Sequence, residues 1–325
     1  MTSTPSGHER MRKAMIYVAV VIVLFVVAVQ VTATWRERSA VAEYPPEGQI
    51  IDVNGTQVHA VVMGDGPDLV LIHGASGNTR DMTFSLAPRL AERYRVIVFD
   101  RPGLGYTERL NSTGASIVQQ AELLRAAAAK LGAEQPIVMG QSYGGAVALA
   151  WAATFPEDVA ALIPVAAASN PWDTGLGTFY EITSSRWGQA LVVPLITAFV
   201  PETVVQSSIE GVFKPQEPPE GYAEAIAAPL TLRRVSLSAN ADQRANLLGE
   251  IEALVPQYGQ IIAPTEIIHG TADTTVGLEI HSEKLVNQID GAVLTRLPGM
   301  GHMLQHVAED EVIAAIDRAA ARADL

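Results

Sequence analysis

The pattern of apolar and polar positions divides the chain into a long uncharged segment and a body of short alternating elements. Residues 14–29 form an unbroken apolar run, and the 22 residues from 14 to 35 include no charged side chain. A segment of this length can cross a bilayer as a helix, and Trp35 at its end suits the membrane interface. We therefore predict that it is a transmembrane anchor or a signal segment.

Beyond this segment, strand-like apolar runs alternate with helical patterns. Residues 49–63 predict a hairpin that turns at Asn54-Gly55, a strong turn signal. Helices are predicted at residues 79–93 and 112–131, with a strand at 96–99 between them. This alternation predicts a mostly parallel sheet with helices on both faces.

The alternation stops between Pro171 and Leu237, where aromatic side chains are interrupted by prolines. Short, kinked helices fit this pattern better than strands, and we predict that they form a cap over the sheet. Caps of this kind exclude water and shape a substrate pocket, although most of these side chains are expected to pack the cap onto the sheet. The predicted organisation is a tail at residues 1–13, an anchor or signal at 14–35, a linker at 36–48, an α/β core at 49–170 and 238–325, and a helical cap at 171–237.

The most informative motif is the sequence Gly140-Gln141-Ser142-Tyr143-Gly144, which lies between a short apolar run and a helix rich in small residues. A serine between glycines on a tight strand-to-helix turn is a nucleophile elbow, in which the turn exposes a strained serine. The alternative is a glycine-rich turn that contains a serine by chance. We predict that Ser142 is a catalytic nucleophile.

A serine hydroxyl needs a base, and the base needs an orienting carboxylate, with the acid and then the histidine following the serine along the chain. Asp273 follows the apolar run at residues 267–268, and His302 lies in a glycine-bracketed loop after a second strand. We predict Asp273 as the acid and His302 as the base. Asp173, which follows the strand-like run at residues 159–167, is the alternative acid, whereas His269 is expected to cap the turn of the acid loop.

The oxyanion of such a reaction requires two backbone donors. The loop His73-Gly74-Ala75-Ser76 follows a buried strand, and it predicts the N–H of Ala75 as one donor, with Ser76 as the alternative. The N–H of Tyr143 is predicted as the other. The loop lacks the lysine and spacing of a phosphate-binding loop, and His302 and His306 lack a third ligand for a metal. No cofactor and no metal site are predicted.

Together these motifs resemble those of the α/β-hydrolase superfamily of esterases, lipases and carbon–carbon hydrolases. The resemblance extends from about Gln49 to the C-terminus and includes the loop Asp100-Arg101-Pro102-Gly103-Leu104-Gly105. It implies an α/β-hydrolase fold with a Ser–Asp–His triad at Ser142, Asp273 and His302. Haloalkane dehalogenases and epoxide hydrolases have a similar pattern but use an aspartate nucleophile, so Ser142 argues against both activities.

Composition agrees with a packed enzyme of 325 residues, of which 48% are hydrophobic and 18% charged. The net charge of −13 disfavours nucleic acid or an anionic lipid surface as a partner. The absence of cysteine excludes disulfides and thiolate chemistry. No oligomeric state is predicted.

Arg10, Arg12 and Lys13 precede the uncharged segment, while Arg36 and Arg38 follow it. This slight bias favours an N-terminus inside the cell and a hydrolase outside. The alternative is cleavage after Val31-Thr32-Ala33, which would release a secreted or periplasmic enzyme.

The function expected from these residues is hydrolysis of a small-molecule carboxylic ester with an apolar moiety, through an acyl-enzyme. A thioesterase, lactonase, perhydrolase, peptidase or carbon–carbon hydrolase would use similar machinery. A slow-turnover binding or sensing protein that keeps the triad is a third hypothesis. Fold analogy alone does not decide among them.

Overall fold

A computed structural model describes residues 7–325, so the first six residues of the predicted tail lie outside the described residues. The first element, helix α1, runs without a break from Gly7 to Glu43 and contains the predicted span. The predicted linker at 36–48 is therefore helical as far as Glu43. Residues 36–43 are mostly good helix formers, and the helix ends just before Pro45, which disfavours helical backbone at the preceding residue.

Eight strands form one sheet in the order β1-β2-β4-β3-β5-β6-β7-β8. The strands are β1 Gln49–Val53, β2 Thr56–Met63, β3 Asp68–Ile72, β4 Arg95–Phe99, β5 Ile137–Gln141, β6 Ala161–Val165, β7 Glu266–Gly270 and β8 Val293–Leu297. The pairs β1·β2 and β2·β4 are antiparallel, and every other pair is parallel. The predicted mostly parallel sheet is confirmed. The hairpin turns at Asn54 and Gly55, both with positive φ, as a two-residue loop requires.

Fourteen α-helices accompany the sheet in the part of the chain that the structure describes. After α1 they are α2 Thr79–Thr83, α3 Leu86–Leu90, α4 Ile117–Lys130, α5 Tyr143–Thr154, α6 Thr178–Ser184, α7 Arg186–Phe199, α8 Glu202–Phe213, α9 Tyr222–Ala225, α10 Ala228–Thr231, α11 Arg234–Leu254, α12 Ser282–Leu285, α13 Leu304–Val307 and α14 Glu309–Arg322.

Two predicted core helices differ from the structure for local reasons. The helix predicted at 79–93 is split into α2 and α3, because Pro88 has no N–H to continue the first helix and its ring would clash. The helix predicted at 112–131 begins only at Ile117, since Ser116 and Gln119 form a reciprocal capping box there.

Both faces of the sheet are buried, which explains why its central strands have continuous apolar sequences. On β3, Leu69 and Leu71 belong to the apolar layer that includes α14, whereas Val70 and Ile72 belong to the layer that includes α4 and α5. Alternate residues of a strand point to opposite faces, so each run supplies both layers. Because strands β3 to β8 run parallel to one another, their carboxyl ends lie together at one edge of the sheet.

Helices α6 to α10 occupy the predicted cap region, and no strand lies between residues 171 and 237. Helix α11 begins in the cap at Arg234 and continues to Leu254, so it crosses the predicted boundary at residue 237. Its middle contacts the core, where Ala239 lies against Gly103 and Asp242 against Gly114. The cap is thus joined to the core by a continuous helix.

Candidate active site

Ser142 occupies the turn between β5 and α5 in a conformation that side chains rarely adopt. Its φ is 55° and its ψ is −116°. Such strained backbone is concentrated at functional sites. Ser142 is partly exposed, whereas both of its neighbours, Gln141 and Tyr143, are buried. The turn therefore presents the serine at the carboxyl edge of the sheet.

The tight turn depends on the absence of side chains at two flanking glycines. A Cβ at Gly140 would collide with the backbone of Gly144, and a Cβ at Gly144 would collide with the carbonyl oxygen of Ile72. Gly144 lies in ordinary helical backbone, so space and not φ is what requires glycine there. The sequence therefore lets α5 begin directly against the end of β3.

Asp273 and His302 come together from the loops after β7 and β8. His302 Nδ1 lies 2.7 Å from Asp273 Oδ2, and both side chains are buried. The other carboxylate oxygen, Oδ1, accepts the N–H groups of Thr275 at 2.8 Å and Val276 at 2.9 Å. Both oxygens of the Asp273 carboxylate therefore have hydrogen-bond partners, and Oδ2 faces the imidazole of His302.

A second histidine, His269, supports the same carboxylate. Its Nε2 lies 2.8 Å from the carbonyl oxygen of Val276 and 3.3 Å from Asp273 Oδ2. Both are acceptors, so Nε2 carries the proton, and Nδ1 accepts from the hydroxyl of Ser282 at 2.6 Å. Burial alone would raise the pKa of Asp273, but the hydrogen bonds from His269 and His302 outweigh it and hold that pKa well below its usual range. His269 closes the acid loop as expected, whereas its contact with the carboxylate was not predicted.

The serine and the histidine loop are neighbours. Gln141, the residue before the serine, donates from Nε2 to the carbonyl oxygen of His302 at 3.4 Å. Within residues 7–325, His302 is hydrogen-bonded to Asp273 and not to Ser142. The structure thus joins Asp273 to His302 and places the backbone of His302 beside the serine turn.

The two elements that carry the predicted oxyanion donors both approach Ser142. A Cβ at Gly74, the residue before Ala75, would lie 3.3 Å from the Cβ of Ser142. Tyr143 is the first residue of α5, so its N–H is one of the donors that a helix N-terminus leaves without an intrahelical partner. The loop after β3 and the start of α5 therefore both lie next to the serine.

The loop that carries Ala75 is hydrogen-bonded to α11 and to α10 of the predicted cap. Ser76 N–H donates to Asn240 Oδ1 at 2.8 Å, and Asn240 Nδ2 donates to Ser76 Oγ at 3.0 Å. The hydroxyl of Thr231 donates to the carbonyl oxygen of Ser76 at 2.9 Å. Helices α10 and α11 thus fix the position of the loop. Nothing in the local sequence around Asn240 predicted this contact.

The cap also contacts the histidine loop through Gln216. Gln216 Nε2 donates to the carbonyl oxygen of Gly299 at 2.9 Å, and Gly301 N–H donates to Gln216 Oε1 at 2.8 Å. These bonds bracket the segment just before His302. One cap residue therefore braces the loop of the candidate base.

Among the described residues, Asp173, the alternative acid, and His306, considered above as a metal ligand, form no side-chain hydrogen bond with the residues of the predicted triad. Asp173 is exposed in the loop before α6. His306 lies with Nε2 2.9 Å from Asp81 Oδ1 and packs against Phe213 and Tyr222. It is directed into this cluster, and no group of three metal-ligating side chains occurs within residues 7–325.

His73 is buried within the loop after β3. Its Nδ1 lies 2.9 Å from the carbonyl oxygen of Gly74, and its Nε2 accepts the N–H of Arg101 at 3.1 Å. Burial lowers the pKa of His73 to about 4, so the ring is neutral and stays an acceptor at neutral pH. It fixes the loop, as the sequence predicts.

A family model described as the alpha/beta hydrolase fold matches residues 67–191, which include the serine turn. The chain has the α/β-hydrolase fold. Its curated relatives include haloalkane dehalogenase 2 of Mycobacterium tuberculosis, 26% identical over 293 residues, with 84% of this chain and 94% of the relative covered. A 2-hydroxy-6-oxononadienedioate/2-hydroxy-6-oxononatrienedioate hydrolase of Klebsiella pneumoniae is 26% identical over 264 residues, covering 77% of this chain and 85% of that protein.

Solved structures support the same fold. A bacterial membrane phospholipase A superposes with a TM-score of 0.64 at 21% identity, covering 97% of this chain and 99% of that chain. At this level of identity the likeness concerns the fold alone.

Proposed function

We propose that this α/β-hydrolase is a serine hydrolase that cleaves carboxylic esters with an apolar moiety through an acyl-enzyme. The observation that carries the proposal is the strained, partly exposed Ser142 on its elbow. The hydrogen-bonded pair of Asp273 and His302, at 2.7 Å, supports it from the neighbouring loops.

In this mechanism His302 takes the proton of Ser142 as its oxygen attacks the carbonyl carbon. Asp273 holds the imidazole through Nδ1, which leaves Nε2 as the basic atom and stabilises the imidazolium. Catalytic hydrogen bonds are often long before substrate binds and tighten in the complex, so the missing bond between Ser142 and His302 is compatible with these roles. His302 then protonates the leaving alcohol, and it activates the water that releases the acid.

The N–H groups of Ala75 and Tyr143 are the proposed oxyanion donors. They are backbone groups on a braced loop and at a helix N-terminus, so they need little reorganisation during the reaction. Loss of one such donor typically costs about 3 kcal/mol of transition-state stabilisation.

The proposed location is the membrane, with α1 as anchor and the hydrolase on the extracytoplasmic side. Val29 and Ala33 are buried against α7, and Arg234 of α11 bonds to Gln30 and Thr34. Cleavage after Ala33 would remove part of this packing, which favours a retained helix over a cleaved signal. Mass spectrometry of the mature protein tests this, because an anchor retains residues 14–33 and a signal loses them.

A panel of p-nitrophenyl esters with short to medium acyl chains tests the activity, using wild type and Ser142→Ala. Turnover by wild type that is abolished in Ser142→Ala supports the proposal, as does labelling of wild type alone by a fluorophosphonate. Turnover that survives in Ser142→Ala would refute the serine mechanism. Tight ligand binding without turnover would indicate the binding or sensing hypothesis.

Carbon–carbon bond hydrolysis is the second candidate, because the Klebsiella pneumoniae relative is named for a dienedioate hydrolase. A 2-hydroxy-6-oxo-dienoate in the same panel separates it from esters. Dehalogenation is not proposed, since a serine occupies the nucleophile position.

A further inference from the structure

Helix α7 carries a stripe of large apolar side chains along one side. Trp187, Leu191, Leu195 and Phe199 follow each other at intervals of four, which places them on one helix face. Trp187, Leu191 and Phe199 are exposed, with 56%, 60% and 52% of their surfaces accessible. The opposite side is buried in the cap through residues such as Val193 and Thr197. Three of the four side chains therefore form an exposed apolar face, and such faces mark sites of contact with proteins or membranes.

The stripe is continuous with the surface of α1. Its third member, Leu195, packs against Val29 and Ala33 of α1. Val29 is the last residue of the apolar run that forms the proposed span. Leu191 lies one turn away from Leu195, about 6 Å along the helix axis. If α1 spans the bilayer as proposed above, Leu191 lies at the boundary of the bilayer.

The connection between the two helices is held by polar contacts. Arg234 bonds to Gln30, Thr34 and Glu37, and Arg36 Nη1 donates to the carbonyl oxygen of Val200 at 3.3 Å. Since α1 is unbroken through this region, the cap cannot swing away from the span without breaking these bonds. The orientation of α7 relative to the membrane is therefore set by α1.

Two further features fit a lipid environment. Helices α7 and α8 meet at 100°, and together they have the length and apolarity of a bent membrane segment. An open groove of about 600 Å³ lies between α1 and the start of α11, and its lining includes Arg38, Arg233 and Arg234 together with Glu37. Arginines just beyond a span suit the depth of lipid headgroups.

We propose that the α7 stripe is a second membrane contact, formed by Trp187, Leu191 and Phe199, so that the cap rests on the lipid bilayer as an interfacial helix. Amphipathic helices of this kind bury their apolar face at the boundary between headgroups and acyl chains. The inference rests on the anchor proposed above and not on the scissile bond.

The chain has no cysteine, so single cysteines can report position without background. Leu191→Cys probes the stripe, Val23→Cys probes the span, and Ile262→Cys is a matched control. Ile262 is as exposed as Leu191, at 64% against 60%, and precedes β7, at the sheet edge opposite the site. Each full-length variant is labelled with an environment-sensitive fluorophore and reconstituted in phosphatidylcholine vesicles, with or without doxyl-labelled phosphatidylcholine. Aqueous iodide serves as a second quencher.

We expect doxyl lipid to reduce the fluorescence at residues 191 and 23 to a similar extent and to leave that at 262 unchanged. Quenching at 23 with none at 191, and iodide quenching at 191 instead, would overturn the second contact and leave the anchor intact. Protection of 191 from both quenchers would overturn it in favour of a protein partner, such as a second copy of the chain. Absence of doxyl quenching at 23 would refute the anchor and the second contact together.

Discussion

Asn240 in helix α11 and Ser76 in the loop after β3 exchange two hydrogen bonds, at 2.8 Å and 3.0 Å. The side chain of Asn240 is buried, and the residues are 164 positions apart in the chain. Ser76 directly follows Ala75, the proposed oxyanion donor. Helix α11 is thereby bonded to the residue next to that proposed donor.

Replacing Asn240 by Ala is expected to lower kcat for p-nitrophenyl esters about ten- to a hundredfold with a smaller change in KM, because the oxyanion donor loses its alignment. The matched control is Asn246→Ala on the same helix, whose amide donates to the carbonyl oxygen of Thr113 at 2.8 Å, away from the site. Equal effects of the two substitutions on kcat would count against a positioning role for Asn240.

The orienting acid is tested by Asp273→Asn, which keeps the shape of the side chain. We expect kcat to fall by roughly 10⁴-fold, because an amide can no longer hold the imidazole in the reactive tautomer. Asp173→Asn, at the exposed alternative, is expected to leave kcat unchanged. A reversed ranking in steady-state kinetics would assign the acid to Asp173.

The elbow is tested by a pair of glycine substitutions. Gly144→Ala places a methyl group against the carbonyl oxygen of Ile72, so we expect loss of activity and lower stability. Gly249→Ala, in α11 with open space around it, is expected to raise the free energy of unfolding by about 0.5–1 kcal/mol. Urea unfolding measures both, and an active, equally stable Gly144→Ala enzyme would show that the turn is looser than described.

The stability of the fold is expected to decrease in acid because of His281. Its Nδ1 accepts the N–H groups of Ser169 and Asn170, each at 3.1 Å, and burial lowers its pKa from 6.5 to about 4. The unfolded chain binds the proton more readily, so this contribution is fully present above pH 6.5 and is lost as pH falls towards 4.

The shift corresponds to roughly 3 kcal/mol at most. Unfolding of wild type and His281→Gln at pH 7 and pH 4.5 measures it, and the variant is expected to lose less stability on acidification. His8→Gln, at an exposed position, serves as the control. The same loss of stability on acidification in all three proteins would exclude His281 as the cause of that loss.

Local signals predicted most of the fold. The alternation of short apolar runs with helical patterns predicted the parallel sheet, because strands buried on both faces have no polar positions. The Asn54-Gly55 turn predicted the hairpin. The predicted helix boundaries were wrong where a single residue sets the boundary, as Pro88 in α3 does for the helix predicted at 79–93.

The candidate site was likewise predicted only in part. Ser142, Asp273 and His302 belong to loops with their own motifs, and the structure brings the last two into contact. Asn240, Gln216 and the second contact of His269 could not be predicted, because each depends on how distant segments pack. The continuation of α1 to Glu43 had a signal, a run of helix formers before Pro45, that the linker interpretation overlooked.

Helix α1 has 37 residues and is therefore about 55 Å long, almost twice the thickness of a hydrocarbon core. Because such a helix is stiff, it does not act as a flexible linker between the bilayer and the proposed catalytic domain. Under the proposed anchoring, an apolar ester that partitions into the bilayer meets the enzyme by lateral diffusion, and its turnover follows its mole fraction in the bilayer rather than its molarity in the surrounding water.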